Sequence, residues 1–377
     1  MRAGVWTLCA VVLWMVCSCG RTVPKSTAPT PPVHTERVRE ATLRIVGDVM
    51  QHTPQIDAAR TAAGYDYVPC FEPVKEWLSN ADLTIANLET TLRATPPYSG
   101  YPQFAAPSAL AFALADAGVD VALLANNHIC DRGRTGIINT IAALDSAGLR
   151  HTGAYCDLPD YARNNPLTMT VGGFRIAILN YTYGTNGIVT PRGVFVNRID
   201  TVRIAADMER AATADIRVVC VHWGEEYHTR PSKAQRELAE WLYRKGATVI
   251  MGGHPHVVQP VEVLTDKWGR VRGVTFFSLG NYVSNQTTPG SDGGMVATLR
   301  FRQVGQEPIE ISADWDFVWT HRYRKNGQRA YRILPLDALH KVINDSTVWR
   351  ANRFRNSCRR FQTADTVIVG REFGRLN

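Results

Sequence analysis

Six separate stretches of the chain carry side chains that could bind metal ions and assist a hydrolysis. They are Asp48, Glu89, Asn127 with His128, His222, His254 with His256, and Asn281. Carboxylate, amide and imidazole donors without thiolates form a mixed oxygen and nitrogen set, which suits Mn²⁺, Fe or Zn²⁺ better than a soft metal. Two such ions roughly 3.5–4 Å apart can clamp the attacking and leaving oxygens of a displacement. The set therefore indicates a two-metal hydrolase site.

Each of these residues taken alone also has an ordinary structural explanation. Gly47-Asp48 is a common turn pair, and His222 could be a hydrogen-bonded core histidine. His254-Pro255-His256 is more specific, because alternate residues of an extended segment point the same way and two imidazoles can then address one site. The hypothesis depends on the joint pattern.

The joint pattern indicates a single site, because each candidate follows a short apolar run that is typical of a strand. Runs of this kind alternate with amphipathic segments of helix length, and that alternation predicts βα units around a sheet. In an open α/β sheet, the carboxyl ends of the strands converge on one crevice. The predicted strands are Leu43–Gly47, Leu83–Ala86, Val119–Leu124, Phe174–Asn180, Ile216–Val221, Thr248–Met251 and Val274–Leu279.

Three helices and a set of later strands complete the predicted elements. Ser108 can cap a helix that ends at Gly118, Gly136–Gly148 reads as a second helix, and Ser232 can cap a third that reaches Gly246. After about Gly293, alternating apolar and polar residues predict antiparallel strands followed by a less regular, arginine-rich extension.

Composition places the chain among globular proteins and locates its charge. Of 377 residues, 45% are hydrophobic and 20% charged, which excludes a disordered or fibrous chain. The net charge is +8, and the stretch from Arg300 onward holds 15 Lys and Arg against 8 Asp and Glu. These arginines could face anionic headgroups or an acidic polymer, or they could form a solvated surface. No nucleic-acid partner is expected.

The first residues read as an export signal followed by a lipid anchor. Arg2 precedes an apolar stretch, Val5–Val16, that is too short to span a bilayer. Cys19 follows in a Val-Cys-Ser-Cys sequence that resembles a bacterial lipobox; the alternative is an ordinary secreted protein with an incidental cysteine. We predict a signal peptide at 1–18, a Pro/Ser/Thr-rich tether at 19–41, and an extracytoplasmic, membrane-attached lipoprotein.

The remaining cysteines give no disulfide framework. They are widely spaced, odd in number and without a CxxC pair: Cys70, Cys130, Cys156, Cys220 and Cys358. Cys220 lies inside an apolar strand, so we expect it to be buried, and a thiolate zinc site is not expected.

The motifs together resemble the poly-γ-glutamate capsule-synthesis protein A family, a branch similar to the calcineurin-like metallophosphoesterases. The resemblance runs from about Leu43 to Gln286 and depends on the order and spacing of six motifs. These are Gly47-Asp48-Val49-Met50, Asn87-Leu88-Glu89, Ala125-Asn126-Asn127-His128 with Asp131-Arg132-Gly133, His222-Trp223-Gly224-Glu225-Glu226-Tyr227, Gly253-His254-Pro255-His256, and Ser278-Leu279-Gly280-Asn281-Tyr282.

The resemblance implies a layered αββα sandwich and a role for each site residue. It implies a domain at 42–290, with a basic C-terminal extension at 291–377. In the phosphoesterase pattern His128 is the proton donor, and the metal ligands fall on Asp48, Glu89, Asn127, His222, His254 and His256. Glu89 stands where those enzymes place Asp, and their Asp-x-His opening is absent, which leaves His52 as a candidate substitute ligand.

Two functions follow, and a third class stays open. The first is a metal-dependent hydrolase or transferase that acts on a phosphoester or a γ-glutamyl polymer during capsule formation, with two divalent ions. The second is a lipid-anchored accessory protein that binds or guides an anionic polymer for a membrane polymerase. The third is a structural surface lipoprotein whose histidines and carboxylates satisfy hydrogen bonds in the core.

Overall fold

The predicted apolar runs form two stacked sheets with helices on their outer faces. The structure is a computed structural model that describes residues 36–338, 348–359 and 367–369. The predicted signal peptide, Cys19 and most of the tether lie outside the described residues. All seven predicted strands are present with shifted bounds, and the three predicted helices are Ala109–Asp116, Gly133–Ser146 and Lys233–Arg244.

The first sheet has eight strands. In spatial order they are β20 (Gln328–Pro335), β19 (Glu310–Lys325), β18 (Gly293–Val304), β1 (Val38–Val49), β4 (Leu83–Leu88), β7 (Val121–Leu123) and β8 (Arg150–Thr152), while β17 (Asn281–Val283) also pairs with β1. The pairs β1–β4, β4–β7 and β7–β8 are parallel. The pairs β1–β18, β18–β19 and β19–β20 are antiparallel. The extension predicted after residue 290 therefore begins inside the fold, because its first strands complete this sheet.

The second sheet has seven strands around a parallel centre. In spatial order they are β10 (Leu167–Val171), β11 (Phe174–Thr182), β13 (Ile216–His222), β14 (Val249–Gly253), β16 (Val271–Phe276), β15 (Val261–Thr265) and β21 (Val367–Val369). The other strands form two-stranded pairs: β2 (Arg60–Thr61) with β3 (Gly64–Tyr65), β5 (Leu92–Arg93) with β6 (Ala106–Pro107), and β9 (Ala154–Tyr155) with β12 (Phe195–Val196).

The helices complete four layers. They are α1 (Thr53–Ala58), α2 (Val68–Ser79), α3 (Ala109–Asp116), α4 (Gly133–Ser146), α5 (Leu158–Asn164), α6 (Thr201–Arg210), α7 (Lys233–Arg244), a 3-10 turn (Leu336–Ala338) and α8 (Val348–Cys358). Ser232 caps α7 in a reciprocal capping box with Gln235, as its sequence position predicts. Ser108 precedes α3 without a side-chain capping bond.

Alternating side chains of each strand separate the core into layers. Ile216, Val218 and Cys220 of β13 point into the core between the two sheets, whereas Val219 and Val221 pack beneath α6 and α7. Helices α2, α3 and α4 cover the outer face of the first sheet in the same way. Successive side chains of a strand point to opposite faces of the sheet, so a strand that is covered on both faces needs apolar side chains at both sets of positions. The structure thereby confirms the αββα sandwich.

Candidate functional site

The candidate residues meet where the carboxyl ends of both sheets come together. Asp48 is the last residue but one of β1 and Glu89 follows β4 in the first sheet, while His222 ends β13 in the second. His254 and His256 lie in the loop directly after β14. All five side chains are buried. The strand-end convergence expected for one sheet therefore operates across two sheets: the first contributes the two carboxylates and the second the three histidines.

Glycines allow this close approach. A Cβ added at Gly47 would lie 2.0 Å from the carbonyl oxygen of Gly280, and one at Gly253 would lie 2.8 Å from Asp48 Oδ1. Any side chain at either position would therefore push Asp48 or its neighbours out of place. The Gly-Asp and Gly-Gly-His sequences thus have a packing reason as well as a chemical one.

Glu89 lies at the centre of the cluster with no hydrogen-bond partner for either carboxylate oxygen. The side chain is fully buried, and its Oε1 lies 3.5 Å from His222 Nε2 and 3.8 Å from His256 Nε2. Burial, together with the nearby charge of Asp48, raises the pKa of Glu89 to about 8. A buried, unpartnered carboxylate is costly unless a cation compensates it.

Two groups of donor atoms share Glu89. Asp48, Glu89 and His256 form one group, and Glu89, His222 and His254 form the other, with the donor atoms of each group within 4.8 Å of one another. A carboxylate that belongs to two adjacent donor groups has the position expected of a ligand that bridges two cations. The structure brings together in this way all five of the carboxylate and histidine side chains that the family pattern marks as metal ligands.

Asp48 and His256 form a buried pair. Asp48 Oδ2 lies 3.2 Å from His256 Nδ1, and Asn87 Nδ2 donates to Asp48 Oδ1 at 2.7 Å. Burial alone would raise the pKa of Asp48, but the hydrogen bond and charge of His256 outweigh it and hold that pKa below its ordinary value. Burial alone would lower the pKa of His256, but Glu89 and Asp48 raise it to about 9. Asn281 Oδ1 lies 3.1 Å from His256 Nδ1.

His222 and His254 are neutral imidazoles at neutral pH. Burial is the main cause, and it lowers the pKa of His222 to about 3 and that of His254 to about 2. His254 Nδ1 is buried without a hydrogen-bond partner, and His222 Nε2 lies 2.9 Å from Asn127 Oδ1. The neutral ring is the form that binds a metal. Asn127 is thus adjacent to the second group through His222.

The backbone around the two loop histidines is strained. His254 has φ 95° and His256 has φ 57°, and residues other than glycine rarely adopt such positive φ angles. Such conformations cost on the order of 1–3 kcal/mol each and tend to persist at functional sites. The conformation of this loop therefore lowers the stability of the fold, while it holds two imidazoles at the cluster.

His128 has different partners from the metal ligands. Its Nδ1 lies 2.8 Å from Asp131 Oδ2, which also accepts the backbone N–H of Phe104 at 2.7 Å. The Phe104 ring packs edge-on against the imidazole with 4.6 Å between centroids. A carboxylate on one ring nitrogen orients the imidazole and leaves the other nitrogen for proton transfer. This environment suits the proton donor implied by the family pattern.

His52 is separated from these groups. Its Nδ1 lies 3.3 Å from Gln55 Oε1 and accepts the backbone N–H of Asn285 at 3.4 Å. Burial lowers its pKa to about 4. Among the described residues, His52 belongs to none of the donor groups found, so the structure offers no support for it as a substitute ligand.

Glu226 is the donor that sequence reasoning missed. It forms a third group with His254 and His256, and unlike the other donors it is exposed. Glu226 is the second glutamate of the motif His222-Trp223-Gly224-Glu225-Glu226. No role was predicted for it from the sequence. Asn87 and Asp131 were likewise quoted in motifs, and the structure shows them orienting Asp48 and His128.

The donor set fits divalent cations. The unpartnered oxygens of Glu89 and the unpartnered Nδ1 of His254 are atoms that a cation would satisfy. The oxygen and nitrogen donors agree with Mn²⁺, Fe or Zn²⁺. Asp48, Glu89 and His256 would hold one ion, and Glu89, His222 and His254 the other.

Comparison with known proteins identifies relatives of this chain. Residues 42–286 match the family described as bacterial capsule synthesis protein PGA_cap. The chain is 33% identical over 335 residues to the capsule biosynthesis protein CapA of Bacillus anthracis, covering 84% of this chain and 77% of that protein. It is 31% identical over 207 residues to the PGA biosynthesis protein CapA of Bacillus subtilis, covering 53% of this chain and 51% of that protein.

More distant similarities are found as well. A probable polyglutamine synthesis accessory protein of Mycobacterium tuberculosis is 28% identical over 208 residues, which cover 49% of this chain and 53% of that protein. A phosphatase from Mycoplasma pneumoniae has a TM-score of 0.39 at 13% identity, covering 74% of this chain and 95% of the other. A 5'-nucleotidase from Candida albicans has a TM-score of 0.42 at 9% identity, covering 85% and 58%.

Proposed function

We propose a function on one established premise: this chain belongs to the bacterial capsule synthesis protein family PGA_cap. Membership confirms the resemblance seen in the motifs and supports a role in capsule or polyglutamate biosynthesis. The proposal is that this chain is a metal-dependent hydrolase of the phosphoesterase type, which acts on an anionic substrate in the biosynthesis of such a polymer. The observation that carries the proposal is Glu89, buried, unpartnered and shared by two donor groups.

The chain's own residues divide the work. The cations would supply Lewis-acid activation of the attacked centre, as divalent ions do in hydrolases. Asn87 orients Asp48, and Asn127 lies against His222, so the ligands keep their rotamers. In the hydrolysis a water molecule attacks the substrate, the bond to the leaving oxygen breaks, and His128, held by Asp131, donates a proton to that oxygen. Burial of the ligands keeps competing water away from them.

The test is a metal analysis of protein purified without chelator, joined to a turnover screen. We expect about two equivalents of a divalent metal and hydrolysis of a phosphodiester or a γ-glutamyl peptide. Chelation should abolish that turnover, and readdition of Mn²⁺, Fe²⁺ or Zn²⁺ should restore it. Protein that holds metal and hydrolyses neither substrate class would contradict the hydrolase proposal.

A second candidate is an accessory protein that binds an anionic polymer for a membrane polymerase. It is favoured by the positively charged C-terminal part of the chain, and one relative is named a synthesis accessory protein. Binding of poly-γ-glutamate by metal-loaded protein without any turnover would favour this candidate over the hydrolase.

We also propose that acylation of Cys19 attaches the chain to a membrane on its extracytoplasmic side. The support is the sequence pattern, since Cys19 lies outside the described residues. Among the described residues, no helix combines the length and the apolar character needed to cross a bilayer. Cys19→Ala should move the protein from the detergent phase to the aqueous phase in phase partitioning, with Cys17→Ala as the matched control. A Cys19→Ala variant that stays in the detergent phase would show that another segment is the anchor.

A further inference from the structure

Three arginines line a cavity outside the metal cluster. Its volume is about 300 Å³, and Thr287, Thr288, Asp292, Arg322, Arg350 and Arg353 line it together with one proline. Of the described residues that line it, three carry a guanidinium group and one carries a carboxylate, so the charge of this described lining is positive. The cavity lies beyond the end of the family match at residue 286.

Arg322 is the least solvated of the three arginines. Its guanidinium donates to the backbone carbonyl of Gln286, but its Nε is buried and has no hydrogen-bond partner. Burial lowers the pKa of Arg322, and the neighbouring charge of Arg350 lowers it further, against the opposing effect of Asp292. A buried donor without a partner, among like charges, is stabilised when an oxyanion enters.

The other two arginines lie on helix α8, which also carries buried residues. Ala351, Phe354 and Cys358 are about 1% exposed and belong to the core between the sheets. The fit is close, because a Cβ at Gly293 would lie 2.7 Å from Phe354 Cζ. Arg350 and Arg353 are exposed, and they line the cavity. Their position is therefore fixed by the buried face of the same helix.

The cavity is connected to the metal cluster through one loop. Asn281 lies against His256, and its Nδ2 donates to Gln286 Oε1 and to the carbonyl of Ser291. Gln286 then accepts from Arg322. Tyr227 also lies beside the cluster, since its ring centroid is 6.2 Å from that of His256.

We infer that this cavity is a subsite for a carboxylate of an extended γ-glutamyl chain, whose scissile bond lies at the metal cluster. The inference rests on the proposed function and names its substrate class as a polyanion with regularly spaced carboxylates. A phosphate group would use the same guanidinium chemistry, so the test separates the two sources. Guanidinium groups bind carboxylates in a bidentate manner, and the excess charge favours anions over neutral ligands.

The experiment measures binding by calorimetry with the full chain, metal-loaded, and γ-linked hexaglutamate as the probe. Arg353→Ala and Arg322→Gln should each weaken hexaglutamate binding roughly tenfold or more, because each removes a charge-assisted hydrogen bond. Asp292→Asn should strengthen it, since a repulsive charge is removed. Arg203→Ala, an exposed arginine of α6, is the matched control and should bind as wild type does.

Several outcomes would overturn the inference. Hexaglutamate affinity unchanged in both arginine variants, relative to Arg203→Ala, would do so. Inorganic phosphate that binds more tightly than hexaglutamate and responds to the same variants would assign the cavity to phosphate instead. Arg353 is exposed, so its variant keeps the test valid if Arg322→Gln fails to fold.

Failure of the subsite and failure of the proposed function give different results. Glu89→Gln should lose metal yet keep most hexaglutamate affinity, because the cavity does not contain Glu89. If wild type shows neither metal nor turnover while the arginine variants still lose binding, the subsite holds and the hydrolase proposal is wrong. If wild type turns over γ-glutamyl substrate while the arginine variants bind and react normally, the subsite is wrong.

Discussion

Glu89→Gln is expected to empty both metal positions, since Glu89 is the one donor that the two groups share. Metal content should fall from about two equivalents to near zero, and turnover should fall with it. His222 belongs to one of those two groups, so His222→Ala should keep about one equivalent. Elemental analysis after gel filtration measures both variants.

The stability of Glu89→Gln should depend on metal in a way that a structural carboxylate would not show. A ligand present at 100 times its dissociation constant stabilises the native state by about 2.7 kcal/mol. With metal, the variant should therefore unfold at a lower temperature than wild type. With chelator, the difference should vanish or reverse, because glutamine removes a buried ionisable group that has no hydrogen-bond partner.

His151→Asn supplies the control for that experiment. His151 is also buried, and its Nε2 lies 3.1 Å from Asp160 Oδ1, outside the metal cluster. This variant should lose stability equally with and without metal and should keep its metal content. If Glu89→Gln behaves as His151→Asn does and retains two equivalents, Glu89 is a structural carboxylate and the metal assignment is wrong.

His128→Ala is expected to lower turnover by roughly 10²–10⁴-fold while metal content and folding are retained. The loss should depend on the leaving group. A nitrophenolate leaves as a stable anion and needs little protonation, so nitrophenyl substrates should be spared relative to alkyl esters. Steady-state rates for a matched aryl and alkyl pair measure this difference.

Asp131→Asn tests the positioning part of the same prediction. Asp131 holds His128 Nδ1 and also accepts the N–H of Phe104. Asparagine can keep a hydrogen bond to the ring but removes the negative charge beside it, so we expect a smaller loss of turnover than in His128→Ala. Equal losses for aryl and alkyl substrates in His128→Ala, with reduced stability, would indicate a structural histidine instead.

The sequence predicted that the candidate ligands would lie close together, because the signal for each of them is local. Each ligand follows an apolar run, and the topology of an α/β sheet then brings strand ends together without further knowledge. The pairing of ligands into two groups could not be predicted, because it depends on how the two sheets stack. Glu89 shows the limit: its motif marked it as a ligand, but only the structure shows that it lacks any other partner.

Glu226 and the arginine cavity show why other features were missed. Glu226 is exposed on a loop, and two adjacent glutamates in a loop usually indicate only solvation. The cavity joins the loop after β17 to β19 and α8, and no periodicity relates these segments. Its arginines were recognised in the sequence as a cluster of charge, yet which of them face one space depends on the docking of α8 by Phe354.

The pairing of β18 with β1 has a consequence for folding. Nine residue pairs join β1, at residues 38–46, to residues 296–304 of β18, so the central strand of the first sheet is completed by chain some 250 positions downstream. Contacts of such long sequence separation form slowly, because the loop must close before they contribute. A fragment that stops at residue 286, where the family match stops, would contain every candidate metal ligand. It would leave residues 38–46 of β1 without the partner strand that β18 provides, and such an open strand edge is prone to aggregation. The part of the chain that carries the candidate metal ligands therefore depends on residues 296–304 to complete the first sheet.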